Sequence, residues 1–82
     1  RGKNVTFSVN MDNKSGLLSL VLNAIAQAGA NILTINQTIP INGIANVTIT
    51  VETQELTSEI GEFIEKISNI EGVRSLNIIA RE

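Results

Sequence analysis

With 82 residues, the chain is long enough for one small domain and no second core. Eight acidic residues stand against six Lys and Arg, a net charge of −2, and there is no Cys, His, Trp or Tyr. This inventory excludes a disulfide framework and a soft-metal site. It also removes most side chains that serve as nucleophile or base near neutral pH, and leaves no basic footprint for nucleic acid or an anionic membrane.

Residues 4 to 11 alternate, with Val5, Phe7, Val9 and Met11 on one side and Asn4, Thr6, Ser8 and Asn10 on the other. Period two predicts a strand with one buried face. Asp12 to Ser15 are turn-formers, and Ser15 is placed to cap the helix that follows. Gly16, at the first helical position, is unfavourable for a helix unless a ligand or another segment approaches the backbone there. The plainer reading of that glycine is an ordinary strand-to-helix turn.

The helix is expected over residues 16–28. Leu18, Val21, Leu22, Ile25 and Ala28 form a core stripe, and Leu17, Leu20 and Ala24 form a second stripe beside it. Only Ser19, Asn23 and Gln27 remain as a polar strip, so this helix is to be covered on more than one side. Gly29 stops it. A second strand spans 31–39 with mixed faces: Leu33, Ile35 and Ile39 lie with Gln37, and Ile32 lies among Thr34, Asn36 and Thr38. Mixed faces predict an edge strand or one with a partner.

Pro40-Ile41-Asn42-Gly43 reads as a hairpin connection, more apolar than a solvated turn requires. A third strand follows, with Ala45, Val47, Ile49 and Val51 opposed by Asn46, Thr48, Thr50 and Glu52. Thr57 or Ser58 is placed to cap a second helix, whose stripe is Ile60, Phe63, Ile64, Ile67 and Ile70. Glu71-Gly72 turns into a last strand in which Leu76, Ile78 and Ala80 alternate with Ser75, Asn77 and Ile79.

The order β-α-β-β-α-β predicts an α+β, ferredoxin-like sandwich: a four-stranded antiparallel sheet, order 4-1-3-2, with two helices on one face. The first and third strands are then central, and the first helix lies toward the edge formed by the second. A domain of this size buries only about 60% of the surface its unfolded chain exposes, which makes self-association along that edge a natural supplement. No apolar run is long enough to span a bilayer, and the N-terminus is not a signal peptide. With no cysteine, this fits a cytoplasmic protein. The start Arg1-Gly2-Lys3, without Met, is read as the beginning of a C-terminal piece of a longer chain.

Several functions hosted by this fold lose their residues here. RNA-recognition domains need aromatic side chains on the open sheet face, where this chain has Asn, Thr and Ser. A metal chaperone needs a Cys pair in the first loop, and a phosphate-cradling loop needs an Arg where this one has Lys14. No catalytic or metal-ligating residue is assigned, and no cofactor is expected.

Asp12-Asn13-Lys14-Ser15-Gly16-Leu17-Leu18, followed by Ala26-Gln27-Ala28-Gly29-Ala30-Asn31-Ile32, resembles the ACT domain. That family shows Asp-x-Pro-Gly-x-Leu after its first strand and Gly-x-Asn-Ile entering its second; Ser15 stands here in place of the Pro. More narrowly, the chain is similar to the C-terminal domain of small bacterial ACT proteins associated with phenylalanine biosynthesis or chorismate mutase. The resemblance implies a regulatory domain that binds an amino acid, joined as a dimer through the second strand and first helix. By position it implies ligand contacts from Asp12, Asn13, Lys14, Ser15, Gly16 and Leu17 in the loop, and from Asn31 and Ile32 at the strand entry. The alternative is a structural assembly module that pairs subunits without a ligand. A chorismate-mutase-like role ranks third, because a dianion needs several converging cations that Lys3, Lys14, Lys66, Arg74 and Arg81 do not obviously supply.

Overall fold

Alternation becomes a strand because every second side chain, Val5, Phe7, Val9 and Met11, leaves water on one face of a sheet. In the computed structural model, which describes residues 4–82, this strand is β1 (Asn4–Asp12). It is followed by α1 (Leu17–Gln27), β2 (Asn31–Gln37), β3 (Ile44–Glu52), α2 (Ile60–Ser68) and β4 (Val73–Arg81). Arg1-Gly2-Lys3, and with it the cation Lys3, lies outside the described residues.

All strand pairs are antiparallel, and the sheet order is β2-β3-β1-β4, the expected topology read from the opposite edge. The central pair runs in unbroken register from Asn4 opposite Glu52 to Asp12 opposite Ile44. Val21 and Ile25 of α1 and Phe63 and Ile67 of α2 bury themselves on the face carrying Phe7, Val9, Val47 and Ile49, so both helices cover one side. The Phe7 and Phe63 rings meet at a centroid distance of 6.1 Å, tilted by 54°. The other face is polar and bonded to itself. Thr6 and Thr50 hydroxyls share a 2.8 Å hydrogen bond, and Asn46 Nδ2 donates to Ser8 Oγ at 2.8 Å and Asn10 Oδ1 at 2.9 Å.

Three bulges correct the simple alternation. In β2, Ile32 opposes Val51 and Thr34 opposes Thr50, which leaves Leu33 as an extra residue. Ile32 therefore lies on the helix face with Ile35 and Gln37, not among Thr34 and Asn36 as expected. One inserted residue changes the face of everything before it, and that is why the strand reads as mixed. In β4 the extra residues are Ile79 and Arg74, so Ala80 faces the same side as Asn77 rather than Ile78.

Both helix starts also differ from expectation. Ser15 does not cap α1: the N-cap is Gly16, at φ 85°, and no side-chain cap hydrogen bond forms among the described residues. The helix begins at Leu17, so Gly16 is not a poor helix residue but one whose left-handed backbone favours glycine. Neither Thr57 nor Ser58 caps α2, whose N-cap is Glu59. Thr57 is used elsewhere: its N–H and its hydroxyl both donate to the Ala28 carbonyl, at 2.9 and 3.0 Å. The segment before α2 is thereby fastened to the end of α1.

Candidate functional site

Chain reversal at the end of β1 leaves backbone groups that must find partners, and neighbouring turns supply them. The Asp12 N–H donates to the Gly72 carbonyl at 2.8 Å, and the Asn13 N–H to the Gly43 carbonyl at 2.8 Å. The loop is thus strung between the α2–β4 turn and the β2–β3 tip. Lys14 N–H returns to the Asp12 carbonyl at 2.9 Å, and Leu17 N–H bonds the Lys14 carbonyl at 3.1 Å. Leu17 then drops into the core, its side chain seated so close over Gly72 that a Cβ there would lie 2.7 Å from Leu17 Cδ2.

Gly16 faces open space instead: a Cβ on it would have no atom within 4 Å. Among the described residues, no other segment would meet a side chain on that glycine. Beside it lies an open cleft of about 370 Å³, lined by Lys14, Ser15, Gly16, Leu17, Leu20 and Glu71. Four of the expected site residues, Lys14, Ser15, Gly16 and Leu17, are gathered here, and Leu20 and Glu71 complete the lining. A second cleft, of about 430 Å³, lies under the start of α2 among Val5, Leu56, Ile60 and Arg81, and holds none of the expected residues.

Asn31 and Ile32 are not part of this constellation within one chain. Asn31 opposes Glu52, which opposes Asn4, so it sits at the end of the sheet remote from Asp12. The length of α1, about 16 Å for eleven residues, separates it from the loop. Asn31 is exposed, with a long 3.5 Å bond from its Nδ2 to Glu52 Oε1, while Ile32 packs against the core.

Asp12 has a partner that the sequence does not reveal. Arg74 Nε donates to Asp12 Oδ1 at 2.7 Å. That bond, and the attraction of the carboxylate, raise the Arg74 pKa above an already high value. A group whose pKa is raised in the fold contributes stability below its unfolded pKa and loses it only above that value. The pair is therefore unaffected by titration of Arg74 near neutral pH. Glu71 and Leu20 also escaped assignment to the site. Leu20 carried a signal, since it belongs to the second apolar stripe and half of it remains exposed; Glu71 read only as a turn residue.

Apolar surface concentrates along β2 and its tip. Leu33 is 46% exposed, Ile35 45%, Ile39 85% and Ile41 71%. Such a run beside an edge strand is unusual for a small monomer.

The family model for the ACT domain matches residues 3–77. The chain belongs to the ACT domain family. A UPF0735 ACT domain-containing protein of Acetivibrio thermocellus is 49% identical over 82 residues, all of this chain and 56% of that protein. Its counterpart in Carboxydothermus hydrogenoformans is 45% identical over 80 residues, 98% of this chain and 55% of that one. The ACT domain thus spans little more than half the length of the curated relatives it matches. Among solved structures, the ACT domain from GTP pyrophosphokinase of Chlorobium tepidum superposes with a TM-score of 0.76 at 15% identity, covering 96% of this chain and 100% of that one. An ACT domain protein from Streptococcus pneumoniae gives a TM-score of 0.74 at 22% identity, covering 96% and 90%. At these identities the likeness establishes the fold. Among the described residues, no helix is long and apolar enough to cross a membrane.

Proposed function

We propose that this ACT domain is a non-catalytic regulatory module that binds a free amino acid as a two-fold dimer, joined along β2 and α1, in the control of cytoplasmic amino-acid metabolism. The observation that carries the reading is the exposed edge. β2 is a sheet-edge strand with half-exposed Leu33 and Ile35, and Asn31 stands at its start. Antiparallel pairing of two copies of β2 sets the start of one strand beside the end of the other. Asn31 of the partner then approaches the end of the sheet where Asn13 is held by Gly43. The two halves of the expected site, remote in one chain, become neighbours in the pair.

The chemistry suits a zwitterion with an apolar side chain. The uncapped start of α1 and Lys14 attract a carboxylate, and open space at Gly16 leaves room for it. Asn31 offers both donor and acceptor. Leu17 and Leu20 supply apolar wall. A thermal-shift panel of the twenty amino acids tests this. One hydrophobic or aromatic member, at about 100 times its Kd, is expected to add about 2.7 kcal/mol. For a domain this small that corresponds to a rise of roughly 10–20 °C in Tm. No shift from any of the twenty, on a folded dimer, overturns the ligand reading.

Gly16→Ala and Asn31→Ala are each expected to abolish the shift while leaving far-UV circular dichroism unchanged. The first places a side chain in the cleft at a left-handed position, at a cost of about 1–2 kcal/mol. A variant with a full ligand response removes its residue from the site. The apolar Ile39-Pro40-Ile41 tip favours the second reading, assembly without a ligand. A stable dimer that ignores all twenty amino acids would decide for it.

A further inference from the structure

The Asp12 carboxylate, expected to face a ligand, accepts a charge-assisted hydrogen bond from Arg74 at 2.7 Å, with the Arg74 side chain 64% exposed and that of Asp12 22%. Arg74 reaches it because β4 is bulged at this point. Ser75 opposes Asn10 and Val73 opposes Met11, which leaves Arg74 as the unpaired extra residue. In a regular strand Arg74 would share a face with Leu76 and Ile78, on the side of the core. The bulge takes it off that face and aims it at the end of β1.

Two independent contacts converge on Asp12, the last residue of β1, from the α2–β4 turn and from the bulge that follows it. The Asp12 N–H is bonded to the Gly72 carbonyl, and its side chain to Arg74 two residues later. Asp12 is therefore the fixed point from which Asn13 to Gly16 project. We propose that Arg74 is a positioning residue for the ligand loop: holding Asp12 from the β4 bulge, it fixes the orientation in which Lys14, Ser15 and Gly16 line the cleft and withdraws the Asp12 carboxylate from the ligand. The inference rests on the ligand-site reading above and adds to it the element that keeps the site in shape. It also gives Asp12 a different role, as a strut rather than a contact. Loss of Arg74 acts twice, by loosening the loop and by releasing a negative charge beside the place where a ligand carboxylate is to sit. A planar guanidinium holds a carboxylate in one orientation, whereas an ammonium group does so only in part.

The test is amide hydrogen exchange by NMR on the ligand-free chain, combined with titration of L-leucine and L-phenylalanine as probes. Arg74→Ala is expected to speed exchange at Asn13 and Leu17 about fivefold, leaving Val47 and Ile49 of β3 unchanged. Arg74→Lys is expected to restore part of the protection. In the titration, Arg74→Ala is expected to raise Kd about tenfold, and adding Asp12→Asn to it to recover part of that loss, because the released charge is removed while the strut stays broken. Unchanged exchange in the loop, or equal acceleration in β3, overturns the positioning role. If neither amino acid binds the unmodified chain, the choice of ligand class is what fails, and the exchange measurement still decides the role of Arg74.

Discussion

Gly29→Ala is expected to lower the unfolding free energy by about 2–4 kcal/mol. Gly29 ends α1 at φ 93°, a conformation that is strained for a residue with a Cβ. The strain is not the whole effect, because the new Cβ would press into the Glu55 carbonyl, with Thr57 Cγ2 beside it at 3.4 Å. That backbone has little freedom to retreat, since Thr57 is bonded twice to the Ala28 carbonyl. Gly16→Ala is the internal control: its φ is 85°, yet its Cβ would enter open space. The difference between the two variants therefore isolates the steric contribution. Urea denaturation followed by circular dichroism reads it as a lower midpoint at unchanged m-value. A loss at Gly29 no larger than the loss at Gly16 would show that the 53–57 segment yields and does not brace the helix end. The effect matters for function because this same reversal sets where Asn31 and β2 begin.

Residues that alternate without interruption gave away their own structure. β1 and β3 show one buried face each, and the sheet pairs them in unbroken register. The order β2-β3-β1-β4 followed from the β-α-β-β-α-β succession and from the handedness of its crossovers. Bulges were hidden, because an extra residue leaves composition untouched and shows only as a blurred pattern. Leu33 produces such a blur, which in the sequence looks like an edge strand and not like an insertion. The edge was real; the face of Ile32 was not. Arg74 was hidden for the same reason, and with it the partner of Asp12. Ser15 looked like a cap because of its type and place, but the chain rises into α1 through a left-handed Gly16, and no side-chain cap forms. Of the residues that line the cleft, Lys14 to Leu17 are neighbours in the sequence, whereas Glu71 comes to it from 54 residues further along, through tertiary packing alone.

Ile35→Asp is expected to raise the Kd of the proposed dimer at least about 100-fold while costing the isolated domain little. In one chain Ile35 lies on the helix face of an edge strand and is 45% exposed, so a carboxylate there keeps much of its water. Across a two-fold seam along β2 the same carboxylate loses that water and meets its own symmetry mate nearby, with no cation on β2 to offset either one. Sedimentation velocity at micromolar concentration is expected to show a monomer. Ile78→Asp is the matched control: Ile78 is 41% exposed on the helix face of β4, the opposite edge, and its substitution is expected to leave the dimer intact. If the Ile78 variant dissociates and the Ile35 variant does not, the seam lies on the other edge. The amino-acid response then separates two architectures of the site. Should the monomeric Ile35 variant lose the thermal shift, the pocket needs Asn31 from a second copy. A full shift in the monomer would instead make the cleft between Lys14, Leu20 and Glu71 a complete site by itself, and the role of β2 would be assembly alone.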